Sequence, residues 1–278
     1  MMLLRSLLFV PGNRPERFAK ALGAGADLIC IDLEDAVAPE QKQAARRSVQ
    51  DYLASLLPAD RSRICVRINA LSTAWGEQDL QAFKQYPPAV LMLAKCQSAL
   101  DVQRAAITLP VQCRLIALIE TISGLQQAST IAKASKSLVA LMFGGADLSA
   151  ELGCDFSYEP LLFARSQLVL AAAGAGLQLI DVPFIDVDNE KALQAETKKI
   201  KALGFTGKAA IHPKQVAAIH QALLPTVAQL DYAKAVLAAT ANHSGGVLVV
   251  QGRMIDRPVI LGCQRILAFA GERNGDNC

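Results

Sequence analysis

Short apolar runs alternate with longer segments of helical period along most of the chain. Segments 6–10, 28–33, 63–68, 89–94, 114–119, 138–143, 177–182 and 208–211 are nearly unbroken hydrophobic stretches. Strands of a parallel sheet covered by helices need that pattern, because neither face meets water. Each is followed by a stretch of helical character, at 16–24, 39–57, 77–86, 99–108, 124–135, 159–173, 189–203 and 213–224. Eight consecutive strand–helix units predict an α/β chain folded as a (β/α)8 TIM barrel rather than an open doubly wound sheet.

After Leu224 the pattern breaks. Pro225 opens a further helix to about residue 242, "HSGGVLVVQGRMIDRP" follows with turn chemistry, and 259–270 is helical again. The chain therefore divides into a TIM-barrel domain, 1–224, and a C-terminal helical extension, 225–278. Gly245 and Gly246 supply a hinge. Local features leave two roles open for the extension: a lid or arm reaching a neighbouring subunit, or added packing.

Composition narrows the class. Of 278 residues 52% are hydrophobic, 19% charged and 5% aromatic, which fits a globular core of aliphatic side chains and excludes disorder. The net charge of +3 is small, so neither nucleic acid nor an anionic membrane is an expected partner. The cysteines at 30, 65, 96, 113, 154, 263 and 278 are odd in number, sit mostly in apolar runs and lack zinc spacing, as expected of reduced thiols in the cytoplasm. "MMLLRSLLFVPG" is split by Arg5 and reads as the first strand, not a signal peptide. No apolar run approaches the ~18 residues of a membrane span.

In such a barrel function lies at the carboxyl ends of the strands. The polar residues there are Asn13 and Arg14, Glu34, Arg67, Lys95, Glu120, Asp147, Asp181 and His212. Helix capping accounts for one or two, such as Asp147 or the nearby Asp32, but not for a polar group at every strand. Glu120 and Asp147 end consecutive strands and would repel unless a cation stood between them; Mg2+ takes one or two protein carboxylates and leaves its other positions to water and substrate. Caps, or ion pairs with Lys95 and Arg67, are the alternative. The planar fork of Arg67 suits the carboxylate of a small keto or hydroxy acid, or else a structural salt bridge to Glu34 or Asp35. "PGNRPER" combines a tight turn, free backbone N–H groups and two arginines as an anion cradle without P-loop or GxGxxG spacing. His212, followed by Pro213, is either a base or a turn former.

The stretches "RSLLFVPGNRPERFAKA", "DLEDAVAPEQKQAAR", "VRIN", "ALIET", "FGGADL", "LGFTGKAAIHPKQV" and "GRMIDRP", in this order over about 5–258, resemble the citrate lyase beta-subunit-like family, CoA-ester lyases of the HpcH/HpaI aldolase superfamily. The resemblance implies a Mg2+-dependent barrel, with Mn2+ as the other candidate ion. It would cleave a 3-hydroxyacyl-CoA thioester into a 2-oxo acid and acetyl-CoA, citramalyl-CoA being the first candidate and malyl-CoA the second. The alternative is a citryl-thioester lyase beta subunit acting on an acyl-carrier-protein-bound substrate in a multi-subunit complex.

Carried onto this chain, the resemblance implies Glu120 and Asp147 as metal ligands and Arg67 as the group on the keto-acid carboxylate. Arg14 and Lys42 would face the CoA phosphates. Asp256 in "MIDRP", with poor strand or helix context, would be an acid/base on a mobile lid, given by the adjacent subunit of a trimer or hexamer. Asp32, Glu34 and Asp35 would hold metal-bound waters and orient Arg67 and Lys95, with direct substrate contact a second role for Glu34. Lys95 departs in context, lying in "LAKC" where the family often has Leu-Pro-Lys, and "DVPFIDVDN" is a loose match. A metal aldolase for free keto acids commonly uses a His base, and no His lies near strands two or three. A binding barrel without turnover is opposed by the retention of Glu120, Asp147, Arg67 and Asp256.

Overall fold

The computed structural model describes residues 3–241 and 247–271, so the hinge glycines Gly245 and Gly246 lie outside the described residues. Two compact units follow one another, Met1–Leu223 and Leu224–Cys278.

Among the described residues of the first unit, eight parallel strands close into a barrel: β1 Ser6–Pro11, β2 Leu28–Asp32, β3 Ile64–Ile68, β4 Val90–Leu93, β5 Arg114–Ile119, β6 Leu138–Phe143, β7 Gln178–Asp181 and β8 Gly207–Ala210. Closure comes from β1 lying parallel to β8, with Ser6 opposite Lys208. Leu7, Cys30, Cys65, Met92, Ile116, Leu118, Met142 and Ile180 fill the interior, so the barrel is packed below its mouth. The described cysteines are free thiols.

Helices cover the outside. They are α1 Phe18–Leu22, α2 Lys42–Ser55, α3 Pro58–Arg61, α4 Ala74–Ala82, α5 Ala99–Thr108, α6 Ile122–Gln126, α7 Ala128–Ile131, α8 Gly145–Leu152, α9 Leu162–Ala175, α10 Glu190–Leu203 and α11 Lys214–Leu223. Several begin with a side chain bonding a free N–H of the first turn: Thr73 before α4, Thr121 before α6, and Ser98 before α5, where Asp101 completes a capping box. Two expectations change. The helix expected at 124–135 is broken into α6 and α7, and α8, which has no counterpart in the periodicity, starts at once after β6. Asp147 is therefore in the first turn of α8, not at a strand end.

Asp181 and Lys208 form a buried charge network behind the barrel mouth. The Asp181 carboxylate accepts from Arg165 Nε at 2.9 Å and Lys208 Nζ at 2.7 Å, and Lys208 also donates to Glu196 at 2.7 Å. All three of Arg165, Asp181 and Lys208 are buried, and pairing is what makes such burial tolerable. The expectation that Asp181 belongs to the functional rim is thus corrected.

The second unit holds α12 Val227–Ala241, strands β9 Leu248–Val250 and β10 Arg253–Ile255, and α13 Arg257–Phe269 around Ala233, Val236, Ile255, Cys263 and Leu267. The segment expected to have only turn chemistry is an antiparallel hairpin. Its two-residue turn has positive φ at Gln251 (49°) and Gly252 (74°), the backbone that matches strand twist. Asp256 is not context-poor either: it is the N-cap of α13, its Oδ1 accepting from Val259 N at 3.2 Å.

Candidate active site

A cavity of about 320 Å3 opens at the carboxyl ends of the barrel strands. Asp32, Asp35, Arg67, Glu120 and Asp147 line its polar side, and Phe9, Leu118, Met142, Val182 and Ile211 its apolar side.

Glu120 follows β5 directly and is only 3% exposed. Its Oε1 accepts the Lys95 N–H at 2.7 Å, across from the end of β4. A Cβ on Gly144 would stand 2.3 Å from Glu120 Cβ and 2.9 Å from its Oε2, so the turn from β6 into α8 must be glycine for this carboxylate to lie where it does. Burial pushes the Glu120 carboxyl up to about 8; Arg67 opposes that rise, while the neighbouring Glu34 and Asp147 charges add to it. Asp147 is more open, its side chain 38% exposed, with Lys95 Nζ 3.5 Å from Oδ2.

Arg67 on β3 lies in register with Asp32 on β2. The pair is two-pronged, Nε to Oδ1 at 2.7 Å and Nη2 to Oδ2 at 2.6 Å. Nη1 is 3.1 Å from Glu34 Oε2, and the guanidinium lies 5.1 Å from the Phe9 ring centre. Burial disfavours its charge, but Asp32, Glu34 and Glu120 outweigh that and hold Arg67 protonated beyond its ordinary range. The salt-bridge option for Arg67 is thus present, to Glu34 and in addition to Asp32, while the side chain also lines the cavity.

Lys95, with a left-handed φ of 48°, turns its ammonium onto Glu34 Oε1 and to within 3.6 Å of Asp35 Oδ1. Burial lowers its basicity less than the hydrogen bond to Glu34 and the surrounding carboxylates raise it. Glu34 itself is pushed up by burial, with Arg67 and Lys95 pulling the other way. Its Oε2 makes no hydrogen bond among the described residues, although Arg67 is close.

Asp32, Asp35, Glu120 and Asp147 thus line the cavity against Arg67, with Glu34 and Lys95 paired with each other beside it, so that carboxyl groups outnumber cations there. A hard divalent cation suits that excess and these oxygen donors. Among the described residues no three His, Cys, Asp or Glu converge as a ligand cluster. A cation held by as few as two of these carboxyl groups, with water and substrate completing its coordination, is a mode that Mg2+ accepts.

Two expectations change, for Lys42 and for the backbone of the "PGNRPER" turn, and one of the two readings of His212 is met. Lys42 is buried at 7% exposure, its Nζ donating to the carbonyls of Leu33 and Glu34 at 3.0 Å each. It fastens the loop after β2 from behind, which corrects the expectation that it faces CoA phosphates. The "PGNRPER" turn does not offer its first N–H groups, since Gly12 N bonds Asp32 O at 2.8 Å and Arg14 N bonds Pro11 O at 3.1 Å. The Arg14 side chain is exposed and pairs with Glu16 at 2.6 Å. His212 shapes a turn, its Nδ1 accepting from Lys214 N at 3.2 Å.

The sequence reading missed the apolar wall and the ring under Arg67. Phe9, Leu118, Met142 and Val182 looked like ordinary strand core, and only barrel alternation near the strand ends could have put them at the mouth.

Residues 5–213 match the model of the family described as HpcH/HpaI aldolase/citrate lyase. The chain is 36% identical to the citrate lyase subunit beta of Escherichia coli strain K12, over 96% of this chain and 93% of that protein. It is 34% identical to a (3S)-malyl-CoA thioesterase of Cereibacter sphaeroides strain KD131, over 96% and 94%. Among solved structures, the CitE protein of Mycobacterium tuberculosis in complex with magnesium, acetoacetate and coenzyme A superposes with a TM-score of 0.84 at 36% identity, covering 97% of this chain and 99% of that one. With this barrel and these residues at its mouth, the chain belongs to the HpcH/HpaI aldolase/citrate lyase family.

Proposed function

We propose that this CoA-ester lyase is a Mg2+-dependent carbon–carbon lyase that splits a 3-hydroxyacyl-CoA thioester into a 2-oxo acid and acetyl-CoA, citramalyl-CoA first and malyl-CoA second. The observation that carries this reading is the buried Glu120 carboxylate beside Asp147, opposite the Asp32-clamped Arg67. The Mycobacterium protein's complex with magnesium, acetoacetate and coenzyme A supports the same ligands here.

Glu120 and Asp147 would hold the ion, which when bound supplies Lewis-acid polarisation and a template for substrate oxygens. Arg67, held flat by Asp32 and Phe9, keeps N–H groups on Nη1 and Nη2 for the keto-acid carboxylate. Lys95 anchors Glu34 and stands 3.6 Å from the Asp35 carboxylate at the cavity wall. As the 3-hydroxyl releases its proton to water the C2–C3 bond breaks, its electron pair passes to the acetyl half, and Asp256 of an adjacent subunit in a trimer or hexamer relays a proton from water to that carbon. The exposed Arg14 would contact CoA phosphate oxygens.

The test is a panel of purified hydroxyacyl-CoA esters assayed with and without a chelator. Cleavage of citramalyl-CoA or malyl-CoA that the chelator abolishes and Mg2+ restores is the expected result. The likeness to a citrate lyase subunit beta favours one second reading, a citryl-thioester lyase beta subunit acting on a carrier protein. Inertness toward every free CoA ester, with turnover of a carrier-bound citryl thioester, would establish that reading instead.

A further inference from the structure

The seam between β7 and β8 has the shortest ladder of the barrel. Its ladder has only two registered pairs, Ile180 with Gly207 and Asp181 with Lys208, and both lie below the cavity. Above them, where Val182, Pro183 and Ile211 line the apolar wall, strand pairing gives way to side-chain bonds. Gln215, near the start of α11 and 2% exposed, donates from Nε2 to Phe184 O at 2.7 Å. Its Oε1 accepts from Ile211 N at 2.9 Å and His212 N at 3.3 Å. The amide orientation is fixed by these partners, because two backbone N–H groups need an acceptor and a backbone carbonyl needs a donor. Lys208 holds the other end of the first loop, donating to Val182 O at 2.8 Å.

We propose that Gln215 is a positioning residue, setting the gap between the loops after β7 and β8 and so the size of the 2-oxo-acid substituent that the cavity accepts. The inference rests on the lyase reading above. Glu120 and Asp147 come from β5 and α8, away from this seam, so loosening it alters the apolar wall and leaves the carboxylates in place. A pocket of fixed width discriminates one methylene by roughly 10- to 200-fold, and a widened one gives up part of that selectivity.

The experiment runs the reaction in the condensing direction with acetyl-CoA and glyoxylate, pyruvate or 2-oxobutyrate, using wild type, Gln215→Glu and Gln215→Met. Gln215→Glu is isosteric, keeps the acceptor for Ile211 and His212 and, once ionised, loses the donor to Phe184, so its assays are run from pH 7 to about 9 and compared with wild type at each pH. Gln215→Met loses all three bonds. The kcat/KM ratio of 2-oxobutyrate to pyruvate should rise at least fivefold in each folded variant, with KM for acetyl-CoA within twofold of wild type. Deuterium exchange at the Ile211 and His212 amides should quicken in Gln215→Met and stay at the wild-type rate in Gln215→Glu. A ratio that moves less than fivefold, or a loss of rate equal for all three acids, overturns the inference while the lyase reading stands. If Gln215→Met does not fold, Gln215→Glu decides by the same ratio. A wild-type chain that condenses none of the acids overturns both.

Discussion

Glu120 shows how one buried side chain sets a pH dependence. Its carboxyl is raised from 4.5 to about 8, so the folded chain without metal retains a proton that the unfolded chain releases above about 4.5. The stabilisation from this group is present below pH 4.5 and is lost as pH rises through about 8. Gln at 120 keeps an acceptor for Lys95 N and removes the titration. In chelator at pH 9, Glu120→Gln should therefore melt above wild type, by a few degrees for a difference on the order of 2 kcal/mol. Added Mg2+ should raise wild type and leave Glu120→Gln unmoved, as melting curves with and without the ion will read. A variant no more stable than wild type at pH 9 contradicts the assignment of Glu120 as the destabilising buried acid. The identity of Glu120, Asp147 and Arg67 as rim residues was legible in the sequence because each ends or follows an apolar run. That Arg67 is clamped by Asp32 was not legible, since it depends on β2–β3 register, and register is a tertiary quantity. The place of Lys42 was not legible either: the resemblance put it on the CoA phosphates, whereas its ammonium bonds the carbonyls of Leu33 and Glu34.

At the scale of elements, strands were legible and irregular joints were not. A strand covered on both faces must be apolar throughout, so all eight runs stand out. The start "GGADL" does not, because glycine is a poor helix former and no N-cap side chain marks α8. That joint makes a prediction. Gly144 has an ordinary φ of −101°, so its glycine is required by close approach to Glu120 rather than by backbone conformation. Gly144→Ala should cost about 1–3 kcal/mol and, by displacing Glu120, lower kcat by about 100-fold or more. Denaturant melts and steady-state assays check the two effects separately; a stable, fully active Gly144→Ala chain would show that Glu120 has no fixed place. A second joint is α11 against β1, where His220 Nε2 and Ser6 Oγ are 2.7 Å apart and Asp27 Oδ2 is 3.7 Å away. Burial lowers the His220 pKa from 6.5, Asp27 opposing and Arg5 adding. The unfolded chain therefore takes up this proton first, and the stability that His220 confers above pH 6.5 is lost as pH falls through its folded value. Between pH 7 and 5 wild type should lose more stability than His220→Gln, as paired urea titrations will measure. Equal losses would remove His220 from the account.

For the whole molecule the division of labour between the two units carries the last prediction. The barrel unit contains Glu120, Asp147 and Arg67, while Asp256 belongs to the second unit, where it caps α13 and stays exposed. Capping alone would make Asp256→Ala a stability variant, costing about 0.5–2 kcal/mol with turnover intact below its melting range. The proposed proton transfer makes it a turnover variant as well. The two roles separate under mixing. If each site joins one chain's Glu120 to a neighbour's Asp256, refolding Glu120→Gln with Asp256→Ala in equal amounts creates sites that have both intact groups. In a closed ring with random neighbours, half the chains supply Glu120 and half their neighbours supply Asp256, so about a quarter of wild-type activity should return from two inactive parents. A ring is needed for this, and light scattering on the mixture will confirm that the chains share one assembly. Recovery near zero in a mixed ring of inactive parents would confine the chemistry to one chain, whereas an Asp256→Ala parent that keeps its turnover would leave that side chain as a helix cap.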